Sequence, residues 1–339
     1  MPLNPPATVW RILYHSRSAA GHDVADSGFA IVPTSAAPHG ARPVYAWAHG
    51  SAGQGDQCAP SHDVRGNLPP YGGQLAAHGA ALVATDYEGL GTPGEPTPYV
   101  GVAEAHAILD SVRATKQLPG VERLGPVVIA GHSQGGGAAL WAAQLARSYA
   151  PGLDVRGAVA LAPAAQFTTM VKALSKAPFS QFLGEALWAL DGLRAAYGKQ
   201  LPLEGLLTSA ARTDLARVAH ECATQTIARW RRRPARTMFA RNPLSVPALV
   251  RILDQNSPGA IDPQVPIFLA QGSRDEQIPL RVSAQLEARY CRLGATVTRR
   301  IYPGADHEGV VDAAQTNVLA WINARVHGRT APASCTGSS

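Results

Sequence analysis

The chain has no long apolar run. Among its 339 residues, no uninterrupted apolar stretch approaches the roughly 20 residues that a bilayer-spanning helix needs. Charged residues are also sparse, at 16% of the chain, whereas hydrophobic residues make up 46%. This balance is typical of a soluble globular protein rather than an integral membrane protein. The length allows one sizeable domain with an insertion.

Cysteine is scarce, and its spacing argues against the common metal motifs. The four cysteines, Cys58, Cys222, Cys291 and Cys335, form no C-x-x-C pair, so neither a zinc site nor a thioredoxin-like motif is expected. An even number is consistent with two disulfides, which would require an oxidising compartment. The alternative is four buried or free thiols in a cytosolic enzyme.

Signals of nucleic-acid binding are missing as well. The chain contains no zinc-finger spacing and no ribonucleoprotein motif of aromatic and basic residues. Its net charge of +6 arises from 30 basic and 24 acidic residues, which are scattered except for the triplet Arg231-Arg232-Arg233. We interpret the triplet as a solvated helix face, although it would also suit a transient contact with a lipid surface. We expect no nucleic-acid partner, and no obligate protein partner is evident.

What the chain does contain is the sequence Gly-His-Ser-Gln-Gly-Gly at 131–136, directly after the apolar run 126–130. This order predicts a strand that turns sharply into a helix with Ser133 at the tip, which is the geometry of an esterase nucleophile. Gly131 and Gly135 are needed because a Cβ at either position would strike the neighbouring strand or helix. The alternative is a glycine-rich loop that only lets a helix pack closely on a sheet.

An activated serine needs a base and an acid that orients the base, and in α/β-hydrolases they follow in the order serine, acid, histidine. The apolar segment 266–271 predicts a buried strand, and the loop after it contains Asp275, our candidate acid, with Glu276 as its rival. A second predicted strand, 296–302, precedes the loop that contains His307, the candidate base. Alone, each would be interpreted as a solvated loop residue, but together they have the position and the order that the mechanism requires.

The oxyanion of a tetrahedral intermediate needs two hydrogen-bond donors. One should be the backbone N–H of Gln134, the residue after the nucleophile. We assign the second to the backbone N–H of Ser51, in the loop after a predicted strand that ends at 48. The alternative is that His49 and Gly50 merely turn the chain there.

Strands and helices alternate over most of the chain. Segments 10–16, 27–32, 43–48, 80–85 and 155–161 have the composition of strands, and 71–78 and 101–118 have helical patterns. The alternation predicts a mostly parallel sheet with helices on both faces. Between about 163 and 263 it stops, and a helical pattern interrupted by prolines takes its place. We interpret 163–263 as a helical cap inserted between the sixth and seventh strands of a core made of 1–162 and 264–339.

Apolar side chains of this cap would either line a tunnel for an acyl chain or form the core of the cap itself. They are Phe167, Met170, Phe179, Phe182, Leu183, Leu187, Trp188 and Leu193. For most of them the second role is favoured, because an apolar face at helical spacing is usually a packing face.

Five segments in order carry a resemblance to a known family. They are 47–50, 58–61, 85–91, 131–136 and 302–307. On these segments, which together span most of the chain, it resembles the secretory lipase family of α/β-hydrolases, known from actinobacteria and from fungal lipases of the Candida type. The resemblance implies the α/β-hydrolase fold and a serine carboxylester hydrolase whose triad is Ser133, Asp275 and His307. It also implies the disulfides Cys58–Cys222 and Cys291–Cys335.

The function expected from these residues is hydrolysis of a small-molecule or lipid ester through an acyl-enzyme on Ser133, with no metal or organic cofactor. An acyltransferase would use the same residues, whereas a noncatalytic binding protein would have no reason to keep all three. Family members normally begin with a secretion signal, but 1–6 contains no charged segment followed by an apolar one. We expect a secreted enzyme whose signal segment is absent from this chain, with a cytoplasmic enzyme as the alternative.

Overall fold

The computed structural model describes residues 5–176, 183–231 and 233–335. Its strands are β1 (Ala7–Arg17), β2 (Asp23–Pro33), β3 (Arg42–Ala48), β4 (Ala81–Thr85), β5 (Leu124–His132), β6 (Val155–Leu161), β7 (Ile267–Gly272) and β8 (Val297–Tyr302). They form one sheet in the order β1-β2-β4-β3-β5-β6-β7-β8. β2 is antiparallel to β1 and β4, and all other neighbours are parallel. The predicted, mostly parallel sheet is confirmed.

Several strands extend beyond their predicted bounds. β1 and β2 pair along their whole length, from Ala7 opposite Pro33 to Arg17 opposite Asp23. β5 continues two residues past the predicted apolar run, because Gly131 and His132 still pair with β6. The turn that carries Ser133 therefore begins directly at the carboxyl end of a central strand.

Helices cover both faces of this sheet. The α-helices of the described residues are α1 (Gly72–Ala77), α2 (Gly101–Thr115), α3 (Gln134–Tyr149), α4 (Phe167–Lys176), α5 (Leu183–Tyr197), α6 (Ser209–Val218), α7 (Ala223–Trp230), α8 (Pro247–Gln255), α9 (Leu280–Arg292) and α10 (Gly309–Val326). Alternate residues of a strand point to opposite faces. Accordingly Val127 of β5 packs in the apolar cluster that contains α2 and α3, whereas Val128 packs in the cluster that contains α1 and α10. With both faces covered, every residue of β4 is buried.

The chain leaves the sheet after β6 and returns to it at β7, and all the described elements in between are helical. We call residues 163–263 the cap, and this division of the chain stays a prediction. Most residues of one apolar cluster lie in the cap, including Leu183, Leu187 and Trp188 of α5, and Val100 and Ala103 at the start of α2 complete it. Phe179 and Phe182 lie outside the described residues.

The arginine triplet lies at the end of α7, which stops at Trp230. Arg231 is exposed and has a non-helical backbone conformation, and the guanidinium of Arg233 lies 4.9 Å from the centroid of the Trp230 ring. Arg232 lies outside the described residues. Since the helix ends before the triplet, the interpretation of these arginines as a helix face is wrong.

Two disulfides are present, Cys58–Cys222 and Cys291–Cys335, and they are the pairs that the resemblance implies. The first joins the loop after β3 to the residue that precedes α7 in the cap. Beside it, Gly53 and Cys222 form an isolated antiparallel backbone bridge. The loop after β3 and the cap are thus linked by a covalent bond as well as by backbone pairing.

None of the helices in the described ranges combines the length and apolarity needed to cross a membrane. The strand order, the strand-turn-helix motif after β5 and the helical insertion after β6 are those of an α/β-hydrolase. The expected fold class is therefore confirmed.

Candidate active site

Ser133 occupies the turn between β5 and α3. Its backbone has φ 57° and ψ −120°, a conformation that is strained for any residue with a side chain. The strain is offset by neighbours, because its N–H donates to the carbonyl of Leu161 at 2.9 Å and its carbonyl accepts from the N–H of Ala164 at 2.8 Å. β6 and the start of the cap therefore hold the serine at the tip of the turn.

Glycine is required on both sides of this turn. A Cβ at Gly131 would lie inside the backbone of Gly135, and a Cβ at Gly135 would lie inside the backbone of Ala48 in β3. Since neither backbone can move without breaking the sheet, any larger residue at these positions would displace the turn. The close approach inferred from the sequence motif is present.

Asp275 and His307 lie on the loops after β7 and β8. His307 Nδ1 lies 2.9 Å from Asp275 Oδ2, and their side chains are 4% and 0% exposed. The carboxylate also accepts hydrogen bonds from the backbone N–H groups of Gln277 and Ile278 at 2.8 and 2.7 Å, and from Gln271 Nε2 at 2.7 Å. Four donors surround one carboxylate, so its orientation toward the imidazole is tightly determined.

Glu276, the rival candidate, is exposed and makes no hydrogen bond to His307 among the contacts of the described residues. Its side chain lies instead at the edge of an apolar cavity. Between the two neighbouring carboxylates, it is Asp275 that contacts the imidazole.

Ser133 and His307 both line a cavity of about 470 Å³ above the carboxyl edge of the sheet. The hydrogen bonds formed by the described residues do not include one between Ser133 Oγ and the imidazole. Two of the three predicted catalytic residues, Ser133 and His307, thus line one cavity, and the third, Asp275, contacts His307.

His132 is a neighbour of this group that sequence reasoning did not single out. Its ring centroid lies 4.6 Å from that of His307, and its Nε2 donates to the carbonyl of His307 at 2.8 Å. Burial, assisted by the nearby His307, lowers the pKa of His132 to about 4. His132 is therefore neutral near pH 7, and it places no positive charge beside the imidazole of His307.

The predicted oxyanion residues also lie together. Ser51 follows β3 and lines the same cavity as Ser133, and Gln134 is the first residue of α3. Ser51 Oγ donates to Gln134 Oε1 at 3.0 Å and lies 2.7 Å from the hydroxyl of Tyr99. A direct side-chain contact therefore fixes the distance between the two residues whose amides were assigned to the oxyanion.

Two cavities adjoin at Ser133. The cavity of about 470 Å³ is lined partly by polar groups, including Ser51, Asn67 and Glu308. A second cavity of about 270 Å³ extends into the cap and is mostly apolar.

The apolar cap residues named from the sequence divide between this apolar cavity and the cap core. Phe167, Met170 and Leu193 line the cavity. Leu183, Leu187 and Trp188 are almost fully buried in the cap core. Leu193 both lines the apolar cavity and belongs to the apolar cluster of the cap.

Glu185 of α5 lines both cavities next to Ser133. Its Oε2 oxygen is buried and has no hydrogen-bond partner among the described residues. Burial raises the pKa of Glu185 to about 7. Nothing in the sequence marks this residue, since a single glutamate in a helical pattern is normally a solvated position.

Within the described residues, one group of side chains has metal-ligating atoms close together, namely His132, His307 and Glu308, within 4.8 Å of one another. His307 already directs Nδ1 at Asp275, and His132 uses Nε2 for the carbonyl of His307. A metal here would take the His307 Nε2 atom that a serine hydrolase needs as its base.

Comparison with known proteins identifies the family. A family model described as secretory lipase matches residues 73–333. Lipase 6 of Candida albicans is 27% identical over 363 residues, which cover 96% of this chain and 74% of that protein. A Mycobacterium tuberculosis protein named as a probable inactive lipase is 25% identical over 349 residues, which cover 96% of this chain and 75% of that protein.

The fold comparison agrees. The crystal structure of Candida antarctica lipase A superposes with a TM-score of 0.83 at 22% identity, covering 97% of this chain and 80% of that one. Because the family match extends over most of the chain, this chain belongs to the secretory lipase family and is a carboxylic ester hydrolase.

Proposed function

We propose that the chain hydrolyses lipid esters through an acyl-enzyme on Ser133, with His307 as base and Asp275 as the residue that orients it. The observation that carries this proposal is the buried His307–Asp275 hydrogen bond at the rim of the cavity that Ser133 lines. A structural histidine would have no need of a carboxylate held by three further donors.

In this mechanism Ser133 Oγ attacks the ester carbonyl while His307 Nε2 accepts the hydroxyl proton. Asp275 stabilises the imidazolium through Nδ1, and the backbone N–H groups of Ser51 and Gln134 donate to the oxyanion. The C–O bond to the alcohol then breaks as His307 returns the proton to the leaving oxygen. Water, deprotonated by the same imidazole, attacks the acyl-enzyme and releases the carboxylic acid and Ser133.

The two cavities suggest how the ester is oriented. The apolar cavity in the cap suits the acyl chain, because burying methylene groups there is favourable by about 0.8 kcal/mol each. The more polar cavity then holds the alcohol part and admits water. This arrangement is consistent with a lipid ester rather than a short, fully polar one.

The decisive experiment compares the wild type with Ser133→Ala on p-nitrophenyl esters of two to sixteen carbons and on an emulsified triglyceride. We expect turnover by the wild type, labelling of Ser133 by a fluorophosphonate probe, and loss of both in the variant while its circular dichroism spectrum is unchanged. Turnover by the variant would refute the assignment of the nucleophile. A wild type that neither turns over nor labels would instead resemble the relative named as a probable inactive lipase.

An acyltransferase would form the same acyl-enzyme and differ in the acceptor. The polar cavity beside Ser133 has room for an alcohol as well as for water. Adding glycerol or ethanol to the assay distinguishes the two, since a hydrolase releases mainly free acid and a transferase mainly the new ester.

We also infer that the enzyme acts outside the cell. The inference is supported by the secretory family and by two disulfides that span separate parts of the chain, because such bonds persist in oxidising compartments. Detection of the mature protein in the culture medium with both disulfides intact would test it.

A further inference from the structure

Four residues around the loop after β3 are connected in a ring of hydrogen bonds, which closes through the backbone N–H of Tyr99. Glu104, in the first turn of α2, accepts from the side-chain amide of Gln134 at 2.7 Å and from the backbone N–H of Tyr99 at 2.9 Å. Gln134 accepts from the hydroxyl of Ser51 at 3.0 Å, and that hydroxyl lies 2.7 Å from the hydroxyl of Tyr99. The ring connects the end of β3, the start of α2 and the start of α3.

The direction of every bond in the ring follows from Glu104. Its Oε1 accepts from both neighbours, so Gln134 has to present its NH₂ group to it and its carbonyl oxygen to Ser51. The Ser51 hydroxyl then donates to Gln134, which leaves its lone pairs to accept from the Tyr99 hydroxyl. With its single proton committed, the Ser51 side chain is not free to rotate toward the substrate.

One member of the ring, Tyr99, is held in a backbone conformation that it would not adopt freely. Tyr99 has φ 65°, the left-handed region that residues with a side chain avoid, and Glu104 accepts the N–H of this residue. Glu104 is 3% exposed and Gln134 is 5% exposed, so water cannot easily replace a lost member of the ring. Burial raises the pKa of Glu104 to about 7, against the lowering effect of its two hydrogen bonds. Oε1 of Glu104 can accept its two hydrogen bonds whether the carboxyl group is charged or carries a proton on the other oxygen.

We propose that Glu104 is the positioning residue of the oxyanion hole: through Gln134 and Tyr99 it holds Ser51, so that the amides of Ser51 and Gln134 keep the spacing that the oxyanion requires. The inference rests on the proposed function. Glu104 does not itself touch the reacting atoms, and its effect arises because donors stabilise an oxyanion only when they are already in place.

The test is a set of variants measured on one p-nitrophenyl ester, with kcat and KM determined separately and thermal unfolding recorded for each protein. Glu104→Leu should lower kcat by about tenfold, because a displacement of the donors weakens binding of the transition state, while KM changes by less than about twofold. Glu104→Gln should stay within about threefold of the wild type, since its amide oxygen can accept the same two bonds. The fluorophosphonate probe should likewise inactivate Glu104→Leu more slowly than it inactivates Glu104→Gln or the wild type.

Two further variants, Ser51→Ala and Tyr99→Phe, break the ring elsewhere and leave Glu104 in place, so the test does not depend on the folding of one protein. Ser51 and Glu104 make no direct hydrogen bond, and independent effects would multiply. We expect Ser51→Ala to lower kcat by about tenfold alone and by less than about twofold when added to Glu104→Leu.

Asp26→Leu is the matched control, because it replaces another buried carboxylate whose oxygens have no hydrogen-bond partner among the described residues. It should leave kcat unchanged. A folded Glu104→Leu variant with the kcat of the wild type, a drop in kcat as large for Glu104→Gln as for Glu104→Leu, or multiplicative effects of the two substitutions would overturn the inference. Each of these results leaves the wild type active, whereas a wild type without turnover or labelling would refute the proposed function.

Discussion

Nδ1 of His307 lies 2.9 Å from Oδ2 of Asp275, although 32 residues separate them in the chain. β7 and β8 are parallel neighbours, so the loops after them open at the same edge of the sheet and bring the two side chains together. Since Asp275 is also held by the N–H groups of the loop that follows it, the contact belongs to the rigid part of the molecule.

The first prediction concerns this contact. Asp275→Asn should lower kcat by about 10³- to 10⁴-fold, because an amide NH₂ facing Nδ1 favours the tautomer that protonates Nε2 and removes the base. Glu276→Gln, at the adjacent exposed position, should stay near the wild type. Steady-state kinetics on p-nitrophenyl butyrate would measure both, and equal losses in the two variants would contradict the role of Asp275.

The second prediction concerns Glu185 and pH. Its pKa is raised by burial from 4.5 to about 7, so between these values the folded protein binds more protons at this site than the unfolded chain does. By linkage, the contribution of Glu185 to the free energy of unfolding is fully present below pH 4.5 and is lost as the pH rises to about 7. Urea unfolding should therefore show a decline of about 1–3 kcal/mol over this window that is absent in Glu185→Gln.

Other groups titrate in the same window, so the comparison has to be made between variants. Glu204→Gln, an exposed glutamate of the cap, should keep the slope of the wild type. If Glu185→Gln and the wild type have parallel stability curves from pH 4.5 to 7.5, the carboxyl of Glu185 is not titrating near pH 7.

The third prediction concerns acyl-chain length. Ala189 of α5 lines the apolar cavity of the cap, and a tryptophan there would fill much of it. Ala189→Trp should lower kcat/KM for a sixteen-carbon ester by about tenfold or more, since each lost methylene contact weakens binding. A two-carbon ester should be affected by less than about threefold.

Ala210→Trp, at an exposed position of α6, is the control for adding an indole to the cap. It should leave the dependence on chain length unchanged. Equal losses for short and long esters in Ala189→Trp would place the acyl chain elsewhere.

The fourth prediction compares the disulfides. Cys58–Cys222 closes a segment with a sequence separation of 164, and Cys291–Cys335 one of 44. In the loop-entropy view each bond stabilises the fold by about 2–4 kcal/mol, and the longer loop by about 1 kcal/mol more. Removing the first pair by double serine substitution should thus lower the free energy of unfolding further than removing the second, as measured in urea. The reverse order would show that strain or contacts in the folded state, rather than loop length, dominate.

Much of the site could be predicted from the sequence because it depends on local constraints. The turn at Ser133 requires glycine at 131 and 135, and these positions lie within six residues of one another, so the motif is visible without knowledge of the fold. The loops that contain Asp275 and His307 could be predicted because the first follows an apolar segment of strand length and the second follows a segment that alternates as a strand does. The choice of Asp275 over Glu276 agrees with the contact to His307, and the catalytic roles of these residues stay predictions.

For the cap, the sequence did not show which apolar side chains line the cavity and which form the core. Phe167 and Trp188 have similar apolar character and helical surroundings, but the first lines the apolar cavity and the second is buried in the cap core. Which side of a helix faces a cavity depends on how the helices cross, and apolar spacing alone does not determine the crossing angle. The end of α7 before the arginine triplet was missed for a related reason, since apolar spacing does not determine the residue at which a helix stops, and the next proline, Pro234, lies after the triplet.

By itself, the sequence determined the fold class, the tight turn at Ser133 and the order of the candidate acid and base, because strand length, helix pattern and glycine spacing are properties of neighbouring residues. Only the tertiary structure decided that Glu104 contacts Gln134, that Glu185 lies beside Ser133 and that His132 packs on His307. Those contacts join residues that are distant in the chain, and they exist because parallel strands end at one edge of the sheet while the cap folds back over it.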